Sequence, residues 1–146
     1  MQTAQRFGAY AAAFEKAVAQ DDWSELGQYF APDAVYLVSG GPPLGGRAEG
    51  RDAVVEKLRR GVDDLDRRFD TRKVELVGEP IITETSFTMD WRATYQMAGC
   101  PEFSFDGTEV VTFDGESIGH LEDRIEDGAD DRFAAYAARY MGGAAR

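Results

Sequence analysis

The chain has 146 residues, 43% of them hydrophobic and 12% aromatic, which is enough for one domain with a packed core that needs neither disulfides nor a metal. A net charge of −11 argues against nucleic acid and anionic membrane as partners, because their phosphates would be repelled and no basic cluster offsets the field. The single cysteine, Cys100, excludes an internal disulfide; with no signal-like start and no apolar run near the ~20 residues a bilayer requires, the expected compartment is the cytoplasm.

Phe7, Tyr10, Ala11, Phe14 and Val18 recur at helical spacing and predict an amphipathic helix from about Ala4 to Gln20. Asp22, with Glu25 three residues on, reads as the capping box of a second, short helix carrying Trp23, Leu26 and Phe30 and stopping before Pro32. Ala34 to Ser39 is rich in β-formers and predicts a strand. The Gly/Pro-dense segment from Gly40 to Gly46, including Pro42 and Pro43, matches no phosphate-binding glycine fingerprint and reads as a rim or connector. After Gly50, the stripe Val55, Leu58, Val62, Leu65 predicts a third helix with a charged opposite face.

From Arg67 the pattern switches to period two, predicting strands near Phe69–Val77, Ile81–Met97, Phe103–Phe113 and Ser117–Glu126. In the longest, Phe87, Met89, Trp91, Ala93, Tyr95 and Met97 alternate with Thr88, Asp90, Arg92, Thr94 and Gln96. Cys100 lies beside Pro101 in a hairpin loop with no base near it in sequence. A last helix, about Ala129 to Met141, places Phe133, Tyr136, Ala137 and Tyr140 on one stripe before a Gly/Ala tail. Helices followed by long antiparallel strands make an α+β plan.

The closing strand carries the sharpest signal. Leu121, Asp123 and Ile125 share one face and His120, Glu122 and Arg124 the other, so an acid stands between two large apolar residues on the inward side. Asp123 is either a general acid/base whose pKa is raised by desolvation or an acid near a cavity mouth hydrogen-bonded to an amide or a tyrosine. Tyr36 shares a strand face with Val38 and, as a buried phenol, needs a partner such as Asp123.

Three segments resemble the nuclear-transport-factor-2-like superfamily: Asp22-Trp23-Ser24-Glu25-Leu26 through Tyr29-Phe30-Ala31-Pro32-Asp33-Ala34-Val35, Gly50-Arg51-Asp52-Ala53-Val54, and Leu121-Glu122-Asp123-Arg124-Ile125. The subgroup most resembled is that of the SnoaL-like polyketide cyclases and their relatives. The resemblance spans roughly residues 4 to 127. It implies a cone, in which a curved sheet wraps the first helix around an apolar cavity, and a homodimer through the outer sheet face. It thus implies one domain over residues 1–146, with 128–146 as a helical extension that caps the cavity or packs on a partner subunit.

The superfamily hosts many reactions, so its site positions must be compared singly. The oxyanion-holding tyrosine of ketosteroid isomerases falls at Phe14 and their general base at Val38, so neither position can act as in those enzymes. The histidine chemistry of scytalone-dehydratase-like members has only His120 to draw on, on the outward face. Hydrolase- and cyclase-like members keep an aspartate where this chain has Asp123. The hydrolases add an Arg-x-Asp on the long strand, where this chain has Asp90-Trp91-Arg92 in reverse order. Alternation sets those charges against the aromatic face. Burying Phe87, Met89, Trp91 and Tyr95 gains ~1.5–3 kcal/mol for each large side chain, whereas desolvating Asp90 and Arg92 costs several kcal/mol per ion. The aromatic face is therefore expected inward, with Asp90 and Arg92 as the alternative catalytic pair.

The expected site is thus Asp123 as acid/base, Tyr36 as hydrogen-bond donor, and Phe14, Val38, Trp91 and Tyr95 as substrate-binding walls. No cofactor and no metal are expected. The expected activity is proton transfer on an apolar, cyclic small molecule, of cyclase, isomerase, dehydratase or hydrolase type. The competing class is a non-catalytic module that holds an apolar metabolite or a partner segment.

Overall fold

The computed structural model describes residues 2–41 and 44–142. Pro42, Pro43 and the Gly/Ala tail lie outside the described residues. Helix α1 (Thr3–Gln20) leads through a 3-10 turn to strand β1 (Phe30–Val38), then to β2 (Gly46–Glu49) and α2 (Arg51–Asp64). Four long strands follow, β3 (Thr71–Ile82), β4 (Ser86–Gln96), β5 (Phe103–Asp114) and β6 (Ser117–Ile125), before α3 (Ala129–Tyr140). One six-stranded sheet has the order β2-β1-β6-β5-β4-β3. Among the described residues only β1 and β6 pair in parallel. The fold is the expected α+β arrangement, a curved mixed sheet with helices on its inner side.

The second helix expected after Asp22 does not form; only Leu26–Tyr29 makes a 3-10 turn. The Asp22 carboxylate accepts from the Ser24 amide (3.1 Å) and hydroxyl (2.7 Å), a local turn that competes with helix capping. Phe30 is needed as a strand residue. It pairs with Ile118, is fully buried, and sits edge-on to Tyr10 with ring centres 5.5 Å apart. The strand runs on through Pro32 because the β1–β6 register shifts between Phe30 and Val35, so the missing N–H falls where the ladder is already irregular.

Two further differences concern the sheet's edges. Strand β2 has no β-branched residue and gave no sequence signal, yet Gly46–Glu49 pairs antiparallel with Val35–Val38. At the other edge, Gly78-Glu79-Pro80 is a bulge within β3 rather than a turn between strands, with the register shifting between Val77 and Ile81 and Gly78 at φ 76°. The turn lies at Thr83–Ser86, where the Thr83 hydroxyl accepts from the Ser86 amide at 2.9 Å. Such bulges raise local twist and curl a sheet.

Two aromatic-rich clusters fill the concave side. Under α1, Phe7 stacks on Phe87 with ring centres 4.1 Å apart, next to Phe30, Tyr36 and Leu121. At the far end, Phe69, Tyr95, Phe103 and Phe105 receive Phe133, Tyr136 and Ala137 of α3. The Tyr136 hydroxyl donates to the Pro101 carbonyl at 2.7 Å. Helix α3 therefore packs on its own chain.

Between these clusters the Trp91 indole lies over Gly107, its partner on β5. Any side chain at 107 would overlap the indole. Overpacking of this kind destabilises by about 1–3 kcal/mol. Gly107→Ala should lose stability in that range in urea unfolding, and adding Trp91→Leu should recover most of it.

Candidate functional site

The concave face and α1, α2 and β2 enclose a cavity of about 770 Å³. Its lining includes the exposed Arg47, Glu49 and Arg60, so it opens to solvent beside α2 and β2. Phe14, Val38, Met89, Trp91 and Phe105 supply apolar wall, and Tyr10, Tyr36, Glu109 and Asp123 supply polar groups. The period-two faces dictate this set: Phe103, Phe105, Gly107, Glu109, Val111 and Phe113 share one side of β5, and Leu121, Asp123 and Ile125 share one side of β6.

Antiparallel pairing of β5 with β6 puts Glu109 directly opposite Asp123, so two carboxyls meet inside the cavity. The Tyr36 hydroxyl donates to Asp123 Oδ2 at 2.8 Å. Asp123 Oδ1 has no partner at hydrogen-bonding geometry among the described residues, though Glu109 and the Trp91 N–H lie close enough to favour its charged form. Both acids keep some surface open to the cavity but are otherwise ringed by protein.

Burial is the main cause that raises the Asp123 pKa, and its contacts with Glu109, Tyr36 and Trp91 pull it part of the way down. Burial also raises Glu109, well above the ordinary carboxylate range, and the Asp123 charge adds to the rise. Two adjacent carboxyls cannot both ionise cheaply. The pair therefore favours one proton and one charge over two charges. Burial likewise raises the phenols of Tyr36 and Tyr10, so both remain donors. The Tyr10 side chain has no hydrogen-bond partner among the described residues, and Tyr10 is a wall residue of the cavity.

All six residues expected as acid/base, donor or wall line this cavity: Asp123, Tyr36, Phe14, Val38, Trp91 and Tyr95. The Tyr95 hydroxyl is not free, since it donates to Asp66 at 3.1 Å. Asp66 also meets Arg72, which forks onto Glu15 at 2.7 and 3.1 Å. Asp90 and Arg92 lie on the opposite, convex face and do not join Asp123. There Arg92 pairs with Asp106 at 2.8 and 3.1 Å, and Asp90 accepts from Thr108 at 2.6 Å. The desolvation penalty explains this side assignment. His120 is on that face too, 3.4 Å from Glu122.

Sequence reasoning missed Glu109, Tyr10 and Lys57 as site residues. The signal for Glu109 was present, because it stands in the inward frame set by Phe105 and Val111. Tyr10 was legible as part of the α1 stripe but not as a cavity residue. Among the described residues no helix is long and apolar enough to cross a membrane, and no group of three or more His, Cys or carboxylate side chains is placed to hold a metal.

A family model described as a SnoaL-like domain matches residues 10–120. The chain belongs to the SnoaL-like family. Solved structures with this fold include an NTF2-like protein from Burkholderia xenovorans, 18% identical over 88% of this chain and 95% of that one, with a TM-score of 0.63. Bal32a, from a soil-derived mobile gene cassette, is 18% identical over 88% and 96%, with a TM-score of 0.66. A candidate isomerase from Rhodopseudomonas palustris is 15% identical over 94% and 96%, with a TM-score of 0.68. No curated protein matches the sequence.

In this SnoaL-like chain the carboxyl pair has a testable thermodynamic sign. Both folded pKa values lie above the ordinary 3.8 of Asp and 4.5 of Glu. Stability is then fully present below those ordinary values and falls as pH rises through them toward the folded ones. Glu109→Gln removes one ionisable member and keeps a donor facing Asp123. Its melting temperature should match wild type near pH 4 and exceed it by a few degrees at pH 7 to 8. Parallel melting curves across that range would contradict the raised pKa of Glu109.

Proposed function

We propose that this protein is a cofactor-free acid/base enzyme that moves a proton on an apolar, cyclic substrate held in the cavity. The observation that carries this reading is the Glu109–Asp123 pair. Two carboxyls side by side in an aromatic cavity cost stability that packing does not demand, and such arrangements concentrate where chemistry needs a perturbed pKa. The fold shared with a candidate isomerase supports the class of chemistry at the level of architecture.

Asp123, ionised and oriented by Tyr36, takes a proton from a carbon next to a carbonyl. The C–H bond pair shifts into the carbon framework, and the carbonyl oxygen becomes an enolate. The Tyr10 hydroxyl donates a hydrogen bond to that oxygen, while protonated Glu109 keeps a second negative charge from facing the enolate. Where a C=C bond adjoins that carbon, the enolate extends into a dienolate; delivery of the Asp123 proton to its far carbon moves the double bond into conjugation, gives the isomer and restores the carboxylate. No atom is gained or lost, so no co-reactant is needed.

The binding-module reading retains one observation in its favour, since Arg72, Asp66 and the Tyr95 hydroxyl are occupied with one another and leave few free polar groups. Deuterium exchange separates the two. With 2-tetralone in D2O followed by proton NMR, wild type should exchange the carbon-acid protons faster than buffer. Asp123→Asn should slow this by about 10²–10⁴-fold, the usual range for a general base. Tyr10→Phe should cost about ten-fold or more, as loss of a hydrogen bond to a charged oxygen does. Tight binding with exchange no faster than buffer would establish the module instead.

The same reading includes a homodimer through the convex face of β4, where Thr88, Asp90, Arg92, Thr94 and Gln96 point outward. Sedimentation should give a dimer at micromolar concentration; a monomer there would remove the dimer and leave the site.

A further inference from the structure

Among the described residues four basic side chains line the cavity, and three of them are paired. Arg47 meets Glu49 at 3.0 Å, Arg60 meets Glu56 at 3.0 Å, and Arg72 is held by Glu15 and Asp66. Lys57 is the exception: no acid lies within ion-pair distance of it among the described residues. Its ammonium donates to the Leu44 carbonyl at 2.9 Å and stands 5.7 Å from the centre of the Tyr36 ring. An ammonium has three donors, so two remain without a protein acceptor among the described residues.

The position is built rather than incidental. Lys57 lies on α2 one residue before the buried Leu58 and three after the buried Val54, at the edge of the helix's apolar face. Its stem runs along the cavity wall, and its head is held there by Leu44 and by the Tyr36 ring face. Tyr36 is also the residue that orients Asp123, so one ring stands between the cation and the carboxyl pair. Partial burial lowers the Lys57 pKa and the Asp123 charge opposes that lowering.

We propose that Lys57 is a specificity-determining residue that selects small organic monoanions, with an apolar ring body against Trp91 and Met89 and one carboxylate-type group on the ammonium. A carboxylate satisfies both free donors with charge-assisted hydrogen bonds, which a neutral acceptor does less well. The shared proton on the Glu109–Asp123 pair limits the opposing charge to one. The inference rests on the cavity being the ligand site. With the chemistry proposed above, the substrate becomes a ring-bearing keto acid.

The test compares 2-naphthoate with its neutral isostere 2-naphthamide by isothermal titration calorimetry. Wild type should bind the anion about ten-fold tighter than the amide, as one charge-assisted contact predicts. Lys57→Met should lower naphthoate affinity to that of naphthamide and leave naphthamide unchanged, which also shows the cavity intact. Lys57→Arg should restore the preference. Naphthamide binding without any preference for naphthoate in wild type would overturn the inference alone, as would a Lys57→Met variant that still prefers the anion. Binding of neither ligand would overturn the cavity as a ring-binding site, and with it the role of Lys57.

Discussion

Everything distinctive in this molecule follows from one hydrogen-bonded register. Strand β5 meets β6 with Glu109 opposite Asp123 and Val111 opposite Leu121. Because side chains alternate, a one-residue slip of β6 would turn Leu121 and Asp123 to solvent and bury His120, Glu122 and Arg124 in their place. The apolar neighbours therefore hold the two acids inside. The core supplies the free energy that keeps an unfavourable charge where it stands, and the acids are tolerated because the large rings around them cannot leave.

The cavity has two polar ends that behave differently. At one, Arg72, Glu15, Asp66 and Tyr95 saturate one another and tie α1 to β3 across the aromatic wall. A cluster so fully paired is a strut: its groups have no capacity left for a ligand. At the other, Asp123, Glu109, Tyr10 and Lys57 are under-satisfied, and each lacks at least one partner it could accept. Unmet hydrogen-bonding capacity in a concave place distinguishes a site from a joint.

Much of this was legible in the sequence because the strands are long and their alternation strict. The preference for Trp91 and Tyr95 inward over Asp90 and Arg92 rests on desolvation, and the same frame places Asp123. Short elements gave weaker signals. Asp22 and Glu25 have the spacing of a helix cap, but a local turn at Ser24 and the demand for a buried Phe30 outweigh the short helix. Strand β2 exists only because β1 offers it a partner, and nothing in Gly-Arg-Ala-Glu announces that. Gly78 and Pro80 mark irregular backbone in either case, and the sequence does not distinguish a bulge from a turn. Tyr10 and Lys57 required knowledge of which side of a helix faces emptiness instead of protein, and periodicity alone does not separate the two.

The parallel pairing of β1 with β6 has a consequence for how the molecule comes into being. Strands β3 to β6 form a meander of neighbouring hairpins, each closing a short loop. The Tyr36–Asp123 contact instead joins residues 87 positions apart, and such contacts come late because a long loop must close before they repay its entropy. During synthesis strand β1 must wait for the final strand, with Tyr36 and Val38 lacking their partner. The chemistry of the cavity is thus the last property the folding chain acquires.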